Sequence, residues 1–294
     1  MRLRQVWQRF RQSEAFGGYA LVSPTAAYAV LMLAAPLLTI LAYSFFKDGY
    51  LTIIREVTFE NYIATWSDPI FRAILWRSLM VSALVTFVTV ALAFPVAYFL
   101  SFVVPQNHKS RWLFLITIPF WTSYLIRVFL WKVILGYNGV INYGLEGLGI
   151  IDDPLRMLNT VGAIAVTLAH AYAPFAILPI FVSLEKIDRS LLEAGRDLGE
   201  SKFRTFLRVT LPLAMPGVVA STLIVFIPTI GDYVTPELIG GGKLPMVANL
   251  IQAQMLPLDN KPMGSAIAVS SMVVVALVSV LFLAMNARYL RGRK

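Results

Sequence analysis

The chain has 294 residues and no cysteine, with 58% apolar and 14% charged residues and a mean hydropathy of +0.71. Soluble domains carry about 45–50% apolar and about 25% charged residues, so an ordinary globular core does not account for this composition. High hydrophobicity, sparse glycine and the missing thiols exclude disorder, collagen and a disulfide scaffold, leaving an integral membrane protein.

A bilayer core about 30 Å thick needs about 20 apolar residues of helix. Six stretches meet that length: 24–46, 78–103, 112–135, 159–184, 213–231 and 264–287. None shows the short alternating segments of an outer-membrane barrel. The expected fold is therefore an all-α integral membrane protein with six transmembrane helices. Its parts are an N-terminal segment (1–23), a membrane domain (24–287) and a C-terminal tail (288–294). The first span begins late and has no convincing cleavage site, so it reads as a retained helix rather than a signal peptide, whose apolar region runs about 7–15 residues. Between spans one and two, residues 47–77 have room for short interfacial helices, with Trp66 and Trp76 as headgroup anchors.

Charge gives the orientation. Of 25 basic residues, 16 fall on one side: Arg2, Arg4, Arg9 and Arg11, then Lys109 and Arg111, six in the loop between spans four and five, and four at the C-terminus. Seven lie on the other side, and Arg127 and Lys132 lie within span three. The bias predicts that both termini are cytoplasmic. It also accounts for the net charge of +9 without a nucleic-acid partner.

In chain order, the stretch richest in information is the cytoplasmic loop 185–216. Ile187, Leu191, Leu192, Ala194 and Leu198 line one face of a predicted helix. Gly199 interrupts, supplying the positive φ that a turn between helices often needs. A second short helix from Ser201 carries Phe203, Phe206 and Leu207 among Lys202, Arg204 and Arg208, until Pro212 and Pro216 stop it and start span five. Periodicity alone leaves two readings open: docking into a groove on a soluble partner, or resting on anionic lipid.

The spacing resembles the signature of ABC importer permeases: Glu-Ala-Ala, three residues, Gly, nine residues, Ile, any residue, Leu-Pro. Here it reads Glu193-Ala194-Gly195, Gly199, Val209, Thr210, Leu211-Pro212, with Gly195 and Val209 as the two departures. The resemblance implies a type I importer permease fold. It also implies a coupling helix docked on a separate ATPase, in which Glu193, Ala194, Gly195 and Gly199 shape the loop. Ser201, Phe203, Arg204, Phe206 and Leu207 would supply docking contacts, with Leu211 and Pro212 closing the signature. No phosphate-cradling loop is present: the nearest run, Gly240 to Leu244, lacks the first glycine and the final hydroxyl and reads as a tight outer turn. The expectation is that this chain binds no cofactor, ATP and Mg being used by the partner.

Three further segments resemble spermidine/putrescine permeases: 119–127 in span three, 138–142 after it, and 231–241 after span five. A polyamine path should offer carboxylates and aromatic faces. Asp232 and Glu237 stand at the outer end of span five, and Trp121, Tyr124 and Trp131 recur at three- and seven-residue steps on span three. The alternatives are solvated groups at a helix end and an aromatic belt or packing. Prolines 36, 95, 119, 174, 179 and 228 either loosen the spans for rocking or form static kinks. His170 is expected to hydrogen-bond a neighbouring helix.

With two histidines 62 residues apart and no cysteine, a metal site has no ligand set. A secondary carrier or channel leaves the docking loop unexplained. The resemblance implies a permease subunit, not an enzyme, of an inner-membrane importer for polyamines or another small solute. Its partners would be a second permease, two ATP-binding subunits, an extracytoplasmic substrate-binding protein and membrane lipid.

Overall fold

A computed structural model describes residues 14–49 and 52–290. Arg2, Arg4, Arg9, Arg11, Arg291, Arg293 and Lys294, on which much of the orientation argument rests, lie outside the described residues, as do most of the terminal segments. The helices are α1 (Glu14–Tyr43), α2 (Glu60–Ser67), α3 (Pro69–Phe102), α4 (Gln106–Thr117), α5 (Tyr124–Ile134), α6 (Val140–Gly147), α7 (Val161–Glu185), α8 (Arg189–Asp197), α9 (Lys202–Thr205), α10 (Leu211–Ile230), α11 (Val234–Leu238), α12 (Val247–Met255), α13 (Lys261–Met285) and α14 (Ala287–Leu290). The one sheet among the described residues pairs β1 (Lys47–Asp48) with β2 (Ile53–Ile54) antiparallel.

Four starts follow from local chemistry. Asp68, Thr160, Ser201 and Asn260 accept backbone N–H groups of the first turns of α3, α7, α9 and α13. Each supplies an acceptor to donors that have no helical partner.

Five of the described helices are long and apolar enough to cross a membrane, and a pair bent by 87° brings the number to six if it counts as one span. Three expectations change. Span two begins at Pro69, nine residues earlier than hydropathy placed it, because Arg72 and Arg77 at its outer end hid the helix. At 34 residues α3 is about 51 Å long, well beyond the hydrocarbon core. Span three is not one helix: α4, a tight 3-10 turn (Ile118–Trp121) and α5 bend by 87°. Pro119 has no N–H to continue the ladder, and the chain turns extended at Thr122 (φ −84°, ψ 152°) and Ser123 (φ −55°, ψ 135°). Thirdly, Pro212 does not end the second helix of the cytoplasmic loop. A π-helical turn (Phe206–Thr210) carries α9 into α10, making one 29-residue helix. Proline cannot donate to Arg208 C=O, and the chain answers by widening, Leu211 N–H donating to Phe206 C=O.

The spans pack through small residues. Ser78, Ser82, Thr86, Thr89, Ala93, Ala97 and Ser101 form a buried stripe along α3, facing α7 and α10. With lipid as apolar as the side chains, close backbone approach rather than a hydrophobic drive holds such helices together. The hydroxyls of Ser78, Thr86 and Thr89 are satisfied by carbonyls one turn back, 2.6–2.8 Å away. α10 repeats the device with Ala214, Gly217 and Ser221, and Ser221 Oγ donates to Ala176 C=O of α7 at 2.8 Å. The main core joins α3, α5, α7 and α10 around Val85, Leu100, Val128, Leu168, Ile180 and Val225. A smaller one joins the outer end of α3 to α10, α12 and α13 around Phe71, Phe226, Val247 and Ile267. α1 packs on α13 and is otherwise bare.

The outer connections are tied by polar side chains. Asn142 donates to Gly136, Tyr137 and Leu155 C=O and accepts Leu155 N–H. Arg77 donates twice to Pro245 C=O, and Ser78 Oγ accepts Val247 N–H. The glycine run is a turn, Gly241 and Gly242 having φ of 57° and 70°. The 47–77 segment holds α2, with Trp66 and Trp76 both exposed.

A Cβ on Gly217 would collide with Pro179 C=O and the Ser183 side chain of α7, whereas one on Gly162 would meet only Thr160 Oγ1 at 3.8 Å. Gly217→Val is therefore expected to destabilise the fold by about 1–3 kcal/mol, read as a lower melting midpoint in detergent, with Gly162→Ala close to wild type.

Candidate functional site: the coupling segment and a bent span

In the loop between spans four and five, α8 closes in a left-handed cap. Gly199 has φ of 79°, and Glu200 N–H reaches Gly195 C=O at 3.1 Å, the six-to-one bond of a Schellman turn. Ser201 then caps α9, and Glu200 Oε1 pairs with Arg208 at 2.5 Å. A Cβ on Gly195 would lie 3.2 Å from Thr205 Cγ2, tighter than ordinary contact. The threonine methyl thus takes up the space that the alanine of the signature would fill, which accounts for the departure at Gly195.

The segment has an anchored side and an open side. Thr205 and Thr210 are buried, and Phe206 packs edge-on against Phe94 and Tyr98 of α3 at 5.5 and 6.1 Å. Phe206 therefore joins the loop to the membrane helices instead of lying on the outer surface with the other docking candidates. Leu198 (85% exposed), Phe203 (69%) and Leu207 (44%) remain open, with Ser201 and Arg204 beside them and Leu191 on α8 also exposed. Of the expected apolar face, Ile187 alone is buried in this chain, and Leu192 is half-buried. Glu193 and Ala194 are exposed on α8, whereas Leu211 and Pro212 are half-buried at the start of α10.

A further cluster joins the ends of four helices just above. The amine of buried Lys109, on α4, donates to Glu185 Oε1 at 2.5 Å and to Ser101 C=O at 2.9 Å. Ser101 Oγ donates to the same carboxylate oxygen at 2.6 Å, and Arg189 of α8 donates to Ser101 C=O at 3.2 Å. Sequence reasoning counted Lys109 and Arg189 as topology charges; their partners lie 76 and 88 residues away, beyond the reach of local pattern.

Toward the outer side, the bend in span three meets α11. Tyr124 OH donates to Asp232 Oδ2 at 2.7 Å and lies 2.7 Å from Thr235 Oγ1. Asp232, 7% exposed, also accepts Val234 and Thr235 N–H on Oδ1, so one oxygen holds the start of α11 and the other faces Tyr124. Tyr124 and Asp232 are thus brought together. Trp121 is not on the helix of Tyr124: it lies in the 3-10 turn of the bend, 77% exposed, against Phe114. Glu237 is on the exposed side of α11. Trp131 Nε1 donates to His170 Nδ1 at 3.1 Å, so His170 has the interhelical bond expected of it. Sequence reasoning missed Thr235 and Tyr172, the latter within electrostatic reach of both Asp232 and Arg127.

Arg127 has a different role from a charge in the path. It is buried, donates to Pro119 C=O at 3.1 Å across the bend, and stands 5.8 Å from the Phe120 ring. Thr122 Oγ1 donates to the same carbonyl at 2.7 Å. Both side chains add to Thr122 N–H, which reaches the same carbonyl at 3.4 Å, so three donors from the bend converge on Pro119 C=O.

Residues 59–291 match the family profile described as binding-protein-dependent transport system inner membrane component. The chain is 37% identical over 269 residues to the spermidine/putrescine transport system permease protein PotB of Haemophilus influenzae, covering 91% of this chain and 93% of that one. It is 35% identical over 254 residues to PotB of Escherichia coli, covering 86% and 92%. In fold it resembles a bacterial ABC transporter involved in import of the acidic polysaccharide alginate, with TM-score 0.75, 17% identity, and 97% and 99% of the two chains covered. The same alginate transporter in complex with a pentasaccharide-bound periplasmic protein gives TM-score 0.77 at 16% identity, covering 98% and 99%.

The left-handed turn makes one expectation quantitative. Gly199→Val places a β-branched residue at positive φ, at a cost of about 1–2 kcal/mol, and should reduce co-purification of the ATPase. Gly199→Asn, which tolerates this conformation, should reduce it less, and equal co-purification in both and in wild type would contradict the coupling role. The signature spacing, the long apolar helices and the match over 59–291 together make this chain a member of the family of inner-membrane permease components of binding-protein-dependent ABC importers.

Proposed function

We propose that this permease is one of two membrane subunits of an ATP-driven polyamine importer. Its α8–α9 segment receives a separate ATPase that holds ATP and Mg, and an extracytoplasmic binding protein delivers substrate above. Both termini lie in the cytoplasm, and the second permease is a distinct homologue. The chain itself binds no cofactor, and its work is alternating access, not covalent chemistry.

The observation that carries this reading is the bend at 118–123 beside the Tyr124–Asp232 pair. Trp121, Thr122 and Ser123 are exposed on the isolated chain. Irregular backbone at membrane depth is tolerated only against protein or a water-filled cavity, never against lipid. The bend therefore belongs on the side that meets a second subunit and the path between them. There Asp232 offers one carboxylate oxygen whose one side-chain donor among the described residues is a tyrosine hydroxyl, a bond that an arriving ammonium can displace. Trp121 and Tyr124 add aromatic faces, and Glu237 a second carboxylate. Identity of 35–37% to permeases named for spermidine and putrescine supports the substrate class. The open row of Leu198, Phe203 and Leu207 supports the docking role.

Uptake of radiolabelled spermidine, measured with the assembled transporter at matched expression, tests the path. Losing a charge-assisted contact of about 1.5 kcal/mol or more should lower uptake about tenfold or more in Asp232→Asn. A smaller loss is expected for Glu237→Gln, which is exposed. Unchanged uptake in both would remove these carboxylates from the path.

A further inference from the structure

The cluster at the cytoplasmic ends of α3, α4, α7 and α8 has a geometry that goes beyond orientation. Ser101 C=O would be bonded in a continuing helix by the residue four positions on, which is Pro105 and has no N–H. The vacant acceptor is taken by two cations from different elements, Lys109 of α4 and Arg189 of α8. The Lys109 ammonium is also bonded to Glu185 and stands 6.0 Å from the Phe181 ring, both on α7. A positive charge at the C-terminal ends of two helices, α3 and α7, is favoured by both macrodipoles. The connectors are short: residues 103–105 join α3 to α4, and 186–188 join α7 to α8.

These contacts place one ammonium between the element that precedes the docking surface and the element that leads to the bend. Lys109 is on α4, the cytoplasmic arm of the bent span, and the far end of that arm is the 118–123 bend beside Tyr124. We propose that Lys109 is a positioning residue of the transport cycle. Held by Glu185 of α7 and sharing Ser101 C=O with Arg189 of α8, it makes the start of α8 and the α4 arm move as one body, so that displacement of the coupling segment reaches the bend in span three. This rests on the reading of α8–α9 as the ATPase-docking segment. The Gly199 series tests that reading separately, by co-purification.

The test uses the complete transporter in proteoliposomes, with its binding protein, ATP and radiolabelled spermidine, and reads both uptake and ATP hydrolysis. Lys109→Met should keep the ATPase bound and hydrolysing, while spermidine moved per ATP falls about fivefold or more, the lower range of a coupling energy. Lys109→Arg, which keeps the charge and the donors, should retain most of that ratio. A wild-type ratio in Lys109→Met, or an equal fall in Lys109→Arg, overturns the proposal. If Lys109→Met does not assemble, spin labels at Gln106 and Ser190 in otherwise wild-type transporter decide. Their separation should stay constant between nucleotide-free and ATP-bound states, and a nucleotide-dependent change in it overturns the proposal.

Discussion

Inside a bilayer a main-chain carbonyl that loses its helical partner finds no water, and some other donor must take its place. Three prolines in this chain each remove one N–H from the ladder, and the local structure around each builds part of the candidate site. At Pro119 the helix breaks, and the Thr122 and Arg127 side chains join Thr122 N–H on Pro119 C=O across an 87° bend. Pro105 vacates Ser101 C=O, and Lys109 and Arg189 converge on it. Pro212 forces a widened turn instead of a break, and the docking segment stays continuous with span five. Arg127, Lys109 and Arg189, which read as charges within or beside the spans, each hold a main-chain carbonyl at one of these places.

The rest of the scaffold lets the backbones come close enough for such replacements. The small stripe on α3 and the Ala214–Gly217–Ser221 face of α10 bring three spans close together beside the larger side chains of their shared core. α7, lying against both, carries Glu185 at one end and His170 and Tyr172 further along. One helix thus contributes to the cytoplasmic cluster and to the aromatic group near Asp232.

Much of this was legible in the sequence, for identifiable reasons. Spans follow from hydropathy, which is a property of composition. The turn at Gly199 follows from a spacing whose geometry is local, and the left-handed cap is where that spacing placed it. The bend in span three was hidden because hydropathy does not register backbone direction; Pro119 followed by Thr122 and Ser123 was the available sign. The resemblance puts Phe206 among the docking contacts, but on a helix that continues through a π turn its ring packs edge-on against Phe94. The Lys109–Glu185 pair depends on two helix ends meeting across 76 residues, which no local pattern encodes.

The unbroken passage from α9 through the π turn into α10 bears on length as well as on force. An inserted residue in a flexible loop is absorbed by the loop, but within a continuous helix it rotates everything beyond it by about 100° and advances it about 1.5 Å. One extra residue between Ser201 and Leu211 would turn the Ala214–Gly217–Ser221 face away from α7, or else turn Phe203 and Leu207 away from the cytoplasmic surface. A signature written as fixed intervals from Gly199 to Leu211-Pro212 is what such a construction requires. The intervals are the phase relation between a surface outside the membrane and a packing face within it.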